Sequence, residues 1–130
     1  MKFSIVITGA PYSSQASASA LQFSRSVLGL GHEIHRVFFY ADGVHSGTAL
    51  AAPPQDETNI PAEWATLAQE HQLDLVVCIA AAVRRGILDE GEARRYEKSG
   101  HNLAPDFTLS GLGQLVEAGI VSDRVVTFGA

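Results

Sequence analysis

Four stretches of the sequence have the hydrophobic pattern of β-strands. Phe3, Ile5 and Ile7 stand at alternate positions and predict a first strand over about residues 2–8. Residues 32–40 and 124–128 predict two more strands. A short apolar run before Cys78 has the length and β-branched content of a strand that is buried on both faces: Leu73, Leu75, Val76 and Val77.

Helical periodicity fills the segments between these strands. A first helix, ended by Gly29 and Gly31, has apolar residues at steps of three and four: Ala16, Ala20, Phe23, Val27 and Leu30. A second helix leads into the Cys78 strand and carries on one face Trp64, Leu67, Ala68 and His71. Residues 88–97 predict a polar helix. Thr108 is predicted to cap a last helix, which ends at Gly119 and has the apolar face Leu109, Leu112, Leu115 and Val116.

The alternation of strands and helices predicts the class of fold. A βαβ series gives a mostly parallel sheet with helices on both faces, so we expect an α/β protein. The 130 residues are enough for one domain with a hydrophobic core, and residues 1–130 are predicted to form it. Asp42-Gly43-Val44 is predicted to be a turn, and a long surface loop with three prolines is predicted to follow over 45–60 and Pro61.

Composition and charge argue against several classes of function. Hydrophobic residues make up 46% and charged residues 18%, which is typical of a folded globular protein. The formal net charge of −5 argues against a nucleic-acid-binding surface. No apolar run approaches the roughly 18 residues of a membrane span, and the N-terminus lacks a signal-peptide pattern. One cysteine forms no internal disulfide, so we expect a cytoplasmic protein.

The single cysteine stands where the pattern changes from strand to helix. Ala80, Ala81 and Ala82 favour a helix directly after Cys78, and Gly86 can end it. Backbone N–H groups converge at the start of a helix and stabilise a negative charge, such as that of a thiolate. Open α/β sheets also bind ligands at the carboxyl ends of their strands. Cys78 is therefore a candidate catalytic residue, and a cysteine that only fills the core fits this position about equally well.

Three functions are compatible with this cysteine. In sulfur transfer, one activated thiolate takes up a sulfane sulfur and hands it to another protein's thiolate. In a cysteine phosphatase, Cys78 attacks a phosphate held by Arg84 and the loop between them, but residues 79–83 lack the glycines of such a loop. The third function is a non-catalytic scaffold subunit with a buried Cys78. No metal site is predicted, because there is no second cysteine and the histidines lack ligand spacing.

Three further residues are predicted to bind substrate near Cys78, namely Tyr12, Asp42 and Arg84. Tyr12 and Asp42 follow the first and second strands, and the ends of parallel strands share one edge of a sheet. For Asp42, the glycine that follows it favours a plain turn-forming role. His45 is an additional candidate for the surroundings of the cysteine.

Several segments spread over almost the whole chain form a recognisable set of motifs. They are Thr8-Gly9-Ala10-Pro11-Tyr12 with Ser14-Gln15, Val37-Phe38-Phe39-Tyr40 with Asp42-Gly43-Val44, Cys78-Ile79-Ala80-Ala81-Ala82 with Arg84-Arg85-Gly86, Asn102-Leu103, Phe107-Thr108-Leu109-Ser110-Gly111-Leu112-Gly113 and Asp123-Arg124-Val125-Val126. Together these segments resemble the DsrE/DsrF-like family, in particular its DsrE/TusD type. The resemblance is most specific at the cysteine segment and at residues 107–113.

The resemblance implies a three-layer α/β/α fold with a mostly parallel sheet of about five strands. It also implies a sulfurtransferase in which Cys78 carries a persulfide. Proteins of this type work with DsrF/TusC-like and DsrH/TusB-like subunits in a hetero-hexamer, between a TusA-like sulfur donor and a DsrC/TusE-like acceptor. The implied pathway is dissimilatory sulfur oxidation or tRNA 2-thiouridine synthesis, and general likeness favours the first. We expect no cofactor, no membrane association and no direct contact with nucleic acid.

Overall fold

The computed structural model describes residues 1–129. Its strands are β1 (Lys2–Ile7), β2 (Glu33–Phe39), β3 (Leu75–Cys78), β4 (Phe107–Ser110) and β5 (Arg124–Phe128). Its α-helices are α1 (Ala16–Gly29), α2 (Ile60–His71), α3 (Ile79–Val83), α4 (Glu90–Arg95) and α5 (Gly113–Val121), and a 3₁₀ helix, Ala41–Gly47, follows β2. None of the helices over residues 1–129 has the length and apolar character that a membrane span requires.

The five strands form one all-parallel sheet in the order β4-β3-β2-β1-β5. The first four strands add one after another in one direction, and the chain then crosses back to place β5 beside β1. Because parallel crossovers are right-handed, this return places α5 on the face opposite α1 and α2. The predicted α/β fold, a parallel sheet of five strands with helices on both sides, is confirmed.

The largest buried side chain, Trp64, lies between α2 and the sheet. Its ring packs edge-on against Phe39, with centroids 5.5 Å apart. Its Nε1 donates a hydrogen bond of 3.0 Å to Ser17 Oγ, and the hydroxyls of Ser17 and Ser46 are 2.9 Å apart. The three residues belong to α2, α1 and the 3₁₀ helix. This buried polar chain therefore connects three elements and satisfies their side-chain donors and acceptors.

On the other face, ion pairs hold α5 to the sheet. Arg36 of β2 is 8% exposed and donates to Asp74 at 2.8 Å, to the carbonyl oxygen of Gln114 at 2.9 Å and to Glu117 at 3.1 Å. His35 Nε2 lies 2.6 Å from Glu117 Oε1. The hydrogen bond from His35, helped by the Arg36 charge, lowers the pKa of Glu117 below its ordinary value. The ionised carboxylate of Glu117 is thus the form that the fold favours.

The predicted last helix is wrong at both ends. Residues 107–110 form β4 and pair with β3, and the Phe107 ring lies against that of Phe39 with centroids 5.4 Å apart. α5 starts only at Gly113 and continues past Gly119 to Val121. The sequence misleads because the apolar residues of this short segment also fit a helical period. Residues 107–110 form a strand because pairing with β3 satisfies the hydrogen bonds of their backbone groups.

Three smaller predictions are also wrong. Residues 41–47 form a 3₁₀ helix where a turn and the start of a loop were expected. Pro61 belongs to the first turn of α2, where the N–H that proline lacks has no helical partner in any case. Leu30, 77% exposed, and His71, also exposed, do not join the buried faces of their helices, because both stand at helix ends.

Candidate active site at Cys78

Cys78 is the last residue of β3 and directly precedes α3. Its backbone is extended, with φ −60° and ψ 119°, and the helix begins at Ile79. No linker separates strand and helix, so the cysteine lies beside the unpaired N–H groups of the first helical turn. Because β3 is flanked by β2 and β4, the junction lies inside the carboxyl edge of the sheet and not at one of its ends.

A cavity of about 370 Å³ opens at this junction. Its other lining residues come from the segment after β2, from α3 and its end, and from the segment before α5: Tyr40, Ala41, Ile79, Ala80, Ala81, Arg84, Arg85, Gly111 and Leu112. Cys78 is only 2% exposed, so its thiol lies at the base of the cavity rather than at its rim. A reaction partner must enter the cavity to reach the sulfur.

Asp42 reaches this cavity through an ion pair. Arg85 Nε donates to Asp42 Oδ1 at 2.9 Å, and its Nη1 donates to the carbonyl oxygen of Ala81 at 3.1 Å. Arg85 lines the cavity, whereas Asp42 is not one of its lining residues. The side chains of Arg85 and Asp42 are 27% and 64% exposed, so the pair contributes little to stability. Its main effect is to fix the direction of the Arg85 guanidinium.

The 3₁₀ helix that carries Asp42 packs directly on the end of β1. A Cβ atom at Gly43 would lie 2.1 Å from the carbonyl oxygen of Ile7, so only glycine allows this approach. Tyr40 donates its backbone N–H to the same carbonyl oxygen at 2.9 Å. The carboxyl end of β1 is therefore covered.

Arg84 lines the cavity from the solvent side of α3. Its Nε donates to the carbonyl oxygen of Ala80 at 3.2 Å, and within residues 1–129 it forms no salt bridge. The five residues between Cys78 and Arg84 form a helix, whereas a cysteine phosphatase needs a loop whose N–H groups surround the phosphate. The Cys-x5-Arg spacing therefore lacks its oxyanion loop, and the structure gives the phosphatase alternative no support.

Tyr12 lies at a different groove. Its backbone has a left-handed φ of 71°, and its hydroxyl donates to the carbonyl oxygen of Thr58 and accepts from the N–H of Ile60, both at 3.0 Å. These two hydrogen bonds connect the loop after β1 to the segment before α2. They give Tyr12 a structural role that is separate from the cavity at Cys78.

The structure brings some of the predicted residues to Cys78 and leaves others apart. Arg84 lines the cavity, and Asp42 is connected to it through its ion pair. His45 belongs to the 3₁₀ helix and, like Tyr12, is not one of the residues that line the cavity.

The wall formed by Tyr40, Gly111 and Leu112 was missed from the sequence. Leu112 was predicted to lie on the apolar face of the last helix and therefore in the core. In the structure it precedes that helix and is 49% exposed. The two glycines on either side of Leu112 were the available signal, because they mark a break before α5 and not its interior.

Relatives of this chain match nearly its whole length. The model of the DsrE/DsrF-like family matches residues 1–128. A protein from Allochromatium vinosum named "Putative sulfurtransferase DsrE" is 57% identical over 129 residues, which are 99% of both chains. Sulfurtransferase TusD from Salmonella typhi is 48% identical over 128 residues, which are 98% of this chain and 100% of that protein. The prediction of a sulfurtransferase enzyme is confirmed by these relatives.

The fold is also that of a solved structure. The crystal structure of the ychN protein from E. coli matches with a TM-score of 0.76 over 98% of this chain and 99% of that one. The two sequences are 20% identical, so this likeness concerns the fold alone. The family match and the two close relatives settle the family: the chain belongs to the DsrE/DsrF-like family.

Proposed function

We propose that Cys78 carries sulfane sulfur as a persulfide and passes it to a cysteine of a partner protein. The observation that supports this role is the position of the thiol, at the base of a cavity of about 370 Å³ at the carboxyl edge of the sheet. Cys78 is the only cysteine of the sequence, so no second thiol in this chain can remove the sulfur. The persulfide then persists until the thiol of another molecule arrives, as a relay requires.

The loading step exchanges one S–S bond for another. The Cys78 thiolate attacks the outer sulfur of a donor persulfide, a bond from Sγ to that sulfur forms, and the donor leaves as a thiolate. The donor is reduced as Cys78 is oxidised, so the step needs no further oxidant or reductant. In the unloading step, an acceptor thiolate attacks the outer sulfur and Cys78 leaves as a thiolate.

The charges around the cavity support an exchange between anions. Each step brings two negatively charged sulfur groups together. Arg84, Arg85 and the N–H groups at the start of α3 supply positive potential at that place. Asp42 offsets part of the Arg85 charge through its ion pair, which leaves Arg84 as the stronger attraction for an anion.

The partners and the pathway belong to the same proposal. The subunit partners are DsrF/TusC-like and DsrH/TusB-like proteins in a hetero-hexamer, the donor is TusA-like and the acceptor is DsrC/TusE-like. Subunit contacts are supported by exposed apolar residues on and beside α5: Leu112, Val116, Ile120, Val121 and Val125. The net charge of −5 supports transfer between proteins without direct contact with nucleic acid.

We place the relay in the cytoplasm, where a lone cysteine stays reduced. Dissimilatory sulfur oxidation is favoured over tRNA 2-thiouridine synthesis, because the relative named DsrE is 57% identical and the relative named TusD 48%.

Intact-mass spectrometry after incubation with inorganic polysulfide tests the role of Cys78. We expect the wild type to gain whole sulfur atoms that a reductant removes, and Cys78→Ser to gain none. Cys78→Ala is a second variant, because it places no hydroxyl in the buried position. Circular dichroism checks that both variants fold. Reductant-sensitive loading of either variant would refute the role.

The burial of Cys78 favours one alternative, a non-catalytic scaffold subunit. In that case iodoacetamide reaches the thiol only when the protein unfolds, so the alkylation rate rises steeply with urea below the unfolding transition. Access through the cavity predicts an alkylation rate that is nearly independent of urea in the same range. A steep urea dependence together with no sulfur loading would establish the scaffold function.

A further inference from the structure

We propose that a groove along α3 binds an extended, acidic segment of the partner polypeptide that exchanges sulfur with Cys78. Three cavities of about 370, 410 and 420 Å³ follow one another around α3. The first and second share Ile79, Ala80 and Arg84, and the second and third share Val83 and Tyr96. We call this continuous surface the α3 groove. It begins at Cys78 and ends at residues 98–100.

The α3 groove is lined by both apolar and cationic side chains. Its apolar side chains include Ile79, Val83, Leu88 and Tyr96. Its charged residues are four cations and one carboxylate: Arg84, Arg85, Arg95, Lys98 and Glu92. The residues that line the groove thus sum to a net charge of +3, which Asp42 offsets in part through its ion pair with Arg85, in a chain whose net charge is −5. A concentration of positive charge on an acidic protein selects an anionic partner at this surface.

Most of the cationic groups remain available to such a partner. Within residues 1–129, Arg84 and Lys98 form no salt bridge. Arg95 lies 3.7 Å from Glu92 and stacks 5.3 Å from the centre of the Tyr96 ring, while its side chain stays 68% exposed. These guanidinium and ammonium groups can therefore donate to carboxylates of a bound segment at the cost of at most one weak ion pair.

The shape of the groove favours a polypeptide over a small molecule. A compact sulfur compound fills the first cavity alone and leaves the second and third without a function in the relay. An extended chain that places its cysteine in the first cavity reaches the other two with its neighbouring residues. Alternate side chains of an extended chain point to opposite sides, so one set can contact the apolar residues of the groove and the other its cationic residues.

The test uses two fluorescein-labelled peptides of equal length. One alternates leucine and glutamate around a central serine, and the other has lysine in place of glutamate. The serine excludes sulfur chemistry, so binding is measured by fluorescence anisotropy alone. We expect the glutamate peptide to bind the full chain with an affinity that falls as sodium chloride is raised, and the lysine peptide not to bind. Equal binding of both peptides would overturn the proposal.

Single substitutions map the binding to the groove. We expect Arg84→Gln, Arg95→Gln and Lys98→Gln each to weaken the glutamate peptide by about two- to fivefold, the range of single exposed ion pairs. Arg94→Gln is the matched control, because Arg94 lies on the same helix as Arg95, is 76% exposed, pairs with Glu90 and does not line the groove. A loss of affinity in Arg94→Gln as large as that in Arg95→Gln would contradict binding along the groove.

The role of the α3 groove in sulfur exchange rests on the proposed function. The peptide-binding test does not, because it involves no sulfur chemistry. Binding of the glutamate peptide by a protein that polysulfide fails to load would leave the groove standing and remove the persulfide role. Loading of Cys78 in a protein that binds neither peptide would support the persulfide role and overturn the groove as a binding site. Competition of the glutamate peptide by thiosulfate at a similar molar concentration would show a small-anion site and would overturn the polypeptide assignment.

Discussion

The carboxyl ends of β1 and β3 lie at the same edge of the sheet, yet one is closed and the other open. After β1, a loop over residues 8–15 leads to α1, and the 3₁₀ helix packs on the carbonyl oxygen of Ile7 through Gly43. After β3, the helix starts without a loop, and a cavity opens at Cys78. A strand–helix junction therefore becomes a site only where the neighbouring elements leave space above it.

The two ends also differ in charge. The charged residues that line the groove near the β1 end are Asp56 and Glu57, whereas those that line the cavity at the β3 end are Arg84 and Arg85. An anionic sulfur donor is repelled by carboxylates at the first place and attracted by guanidinium groups at the second. Space and charge thus both support the β3 end as the place of the proposed thiolate chemistry.

The largest expected effect comes from forcing the closed end open. Gly43→Ala places a Cβ atom 2.1 Å from the backbone oxygen of Ile7, so the 3₁₀ helix must move away. We expect the free energy of unfolding, measured by urea titration, to fall by about 3 kcal/mol, the upper part of the range for overpacking. Gly29→Ala is the control, because no atom outside its chain neighbours and the backbone of its own helix lies within 4 Å of the added Cβ. Equal stability of the two variants would contradict the close packing at β1.

A smaller loss is expected from the buried hydrogen bonds that hold the 3₁₀ helix in place. Ser17→Ala leaves the indole N–H of Trp64 and the hydroxyl of Ser46 without their shared partner. Burying these groups unpaired should reduce the free energy of unfolding by about 1–3 kcal/mol. Ser19→Ala, at an exposed position of the same helix, should change it by less than about 0.5 kcal/mol in either direction. A loss below about 0.5 kcal/mol for Ser17→Ala as well would show that the hydrogen bonds between Trp64, Ser17 and Ser46 contribute nothing to stability.

The sequence predicts most of the fold because its strands and longer helices carry strong local patterns. The alternation at Phe3, Ile5 and Ile7 and the apolar run before Cys78 identify strands of the observed sheet. β4 was missed because its four residues acquire strand character from pairing with β3, whose residues lie some thirty positions earlier in the chain. A contact of that sequence separation leaves no trace in the local period.

The candidate site was predictable only in part, for the same reason. The place of Cys78 follows from its own neighbours in sequence, a strand before it and alanines after it. Leu112 lines the cavity at Cys78 because it follows the end of β4, on the edge where that cavity opens. Tyr12 lies away from this cavity because its hydroxyl forms hydrogen bonds with the backbone of Thr58 and Ile60. These positions depend on packing between distant segments, and no spacing of residues in the sequence encodes them.

The charge difference between the two ends can be sharpened at Asp42. Asp42→Asn removes the carboxylate beside Arg85, so we expect the cavity at Cys78 to attract anions more strongly. The ratio of the alkylation rates with iodoacetate and with iodoacetamide should rise by about two- to fivefold, with a change in stability below about 1 kcal/mol. Asp56→Asn, the same change near the β1 end, should leave the ratio unaltered. An equal rise in both variants would mean that net charge and not the ion pair sets the ratio.

The smallest expected effect is a pH-dependent change in stability at α5. This helix follows Leu112, which lines the cavity at Cys78. Folding lowers the pKa of Glu117 through His35 and Arg36, so the ionised carboxylate stabilises the folded state. This contribution is fully present above the ordinary pKa of 4.5 and is lost as the pH falls through the lower folded value. The wild type should therefore be slightly more stable than Glu117→Gln at about pH 6, and the difference should shrink towards about pH 3.

Urea titrations of both proteins at three pH values measure this difference, with Glu70→Gln as the control, since Glu70 is exposed and has no salt bridge within residues 1–129. If Glu117 anchors α5 as the contacts indicate, Glu117→Gln should also speed the reaction of Cys78 with iodoacetamide, because the wall at Leu112 is held less firmly. Glu70→Gln should not change that rate. A pH-independent difference in stability would instead mean that Glu117 acts through packing and not through its charge.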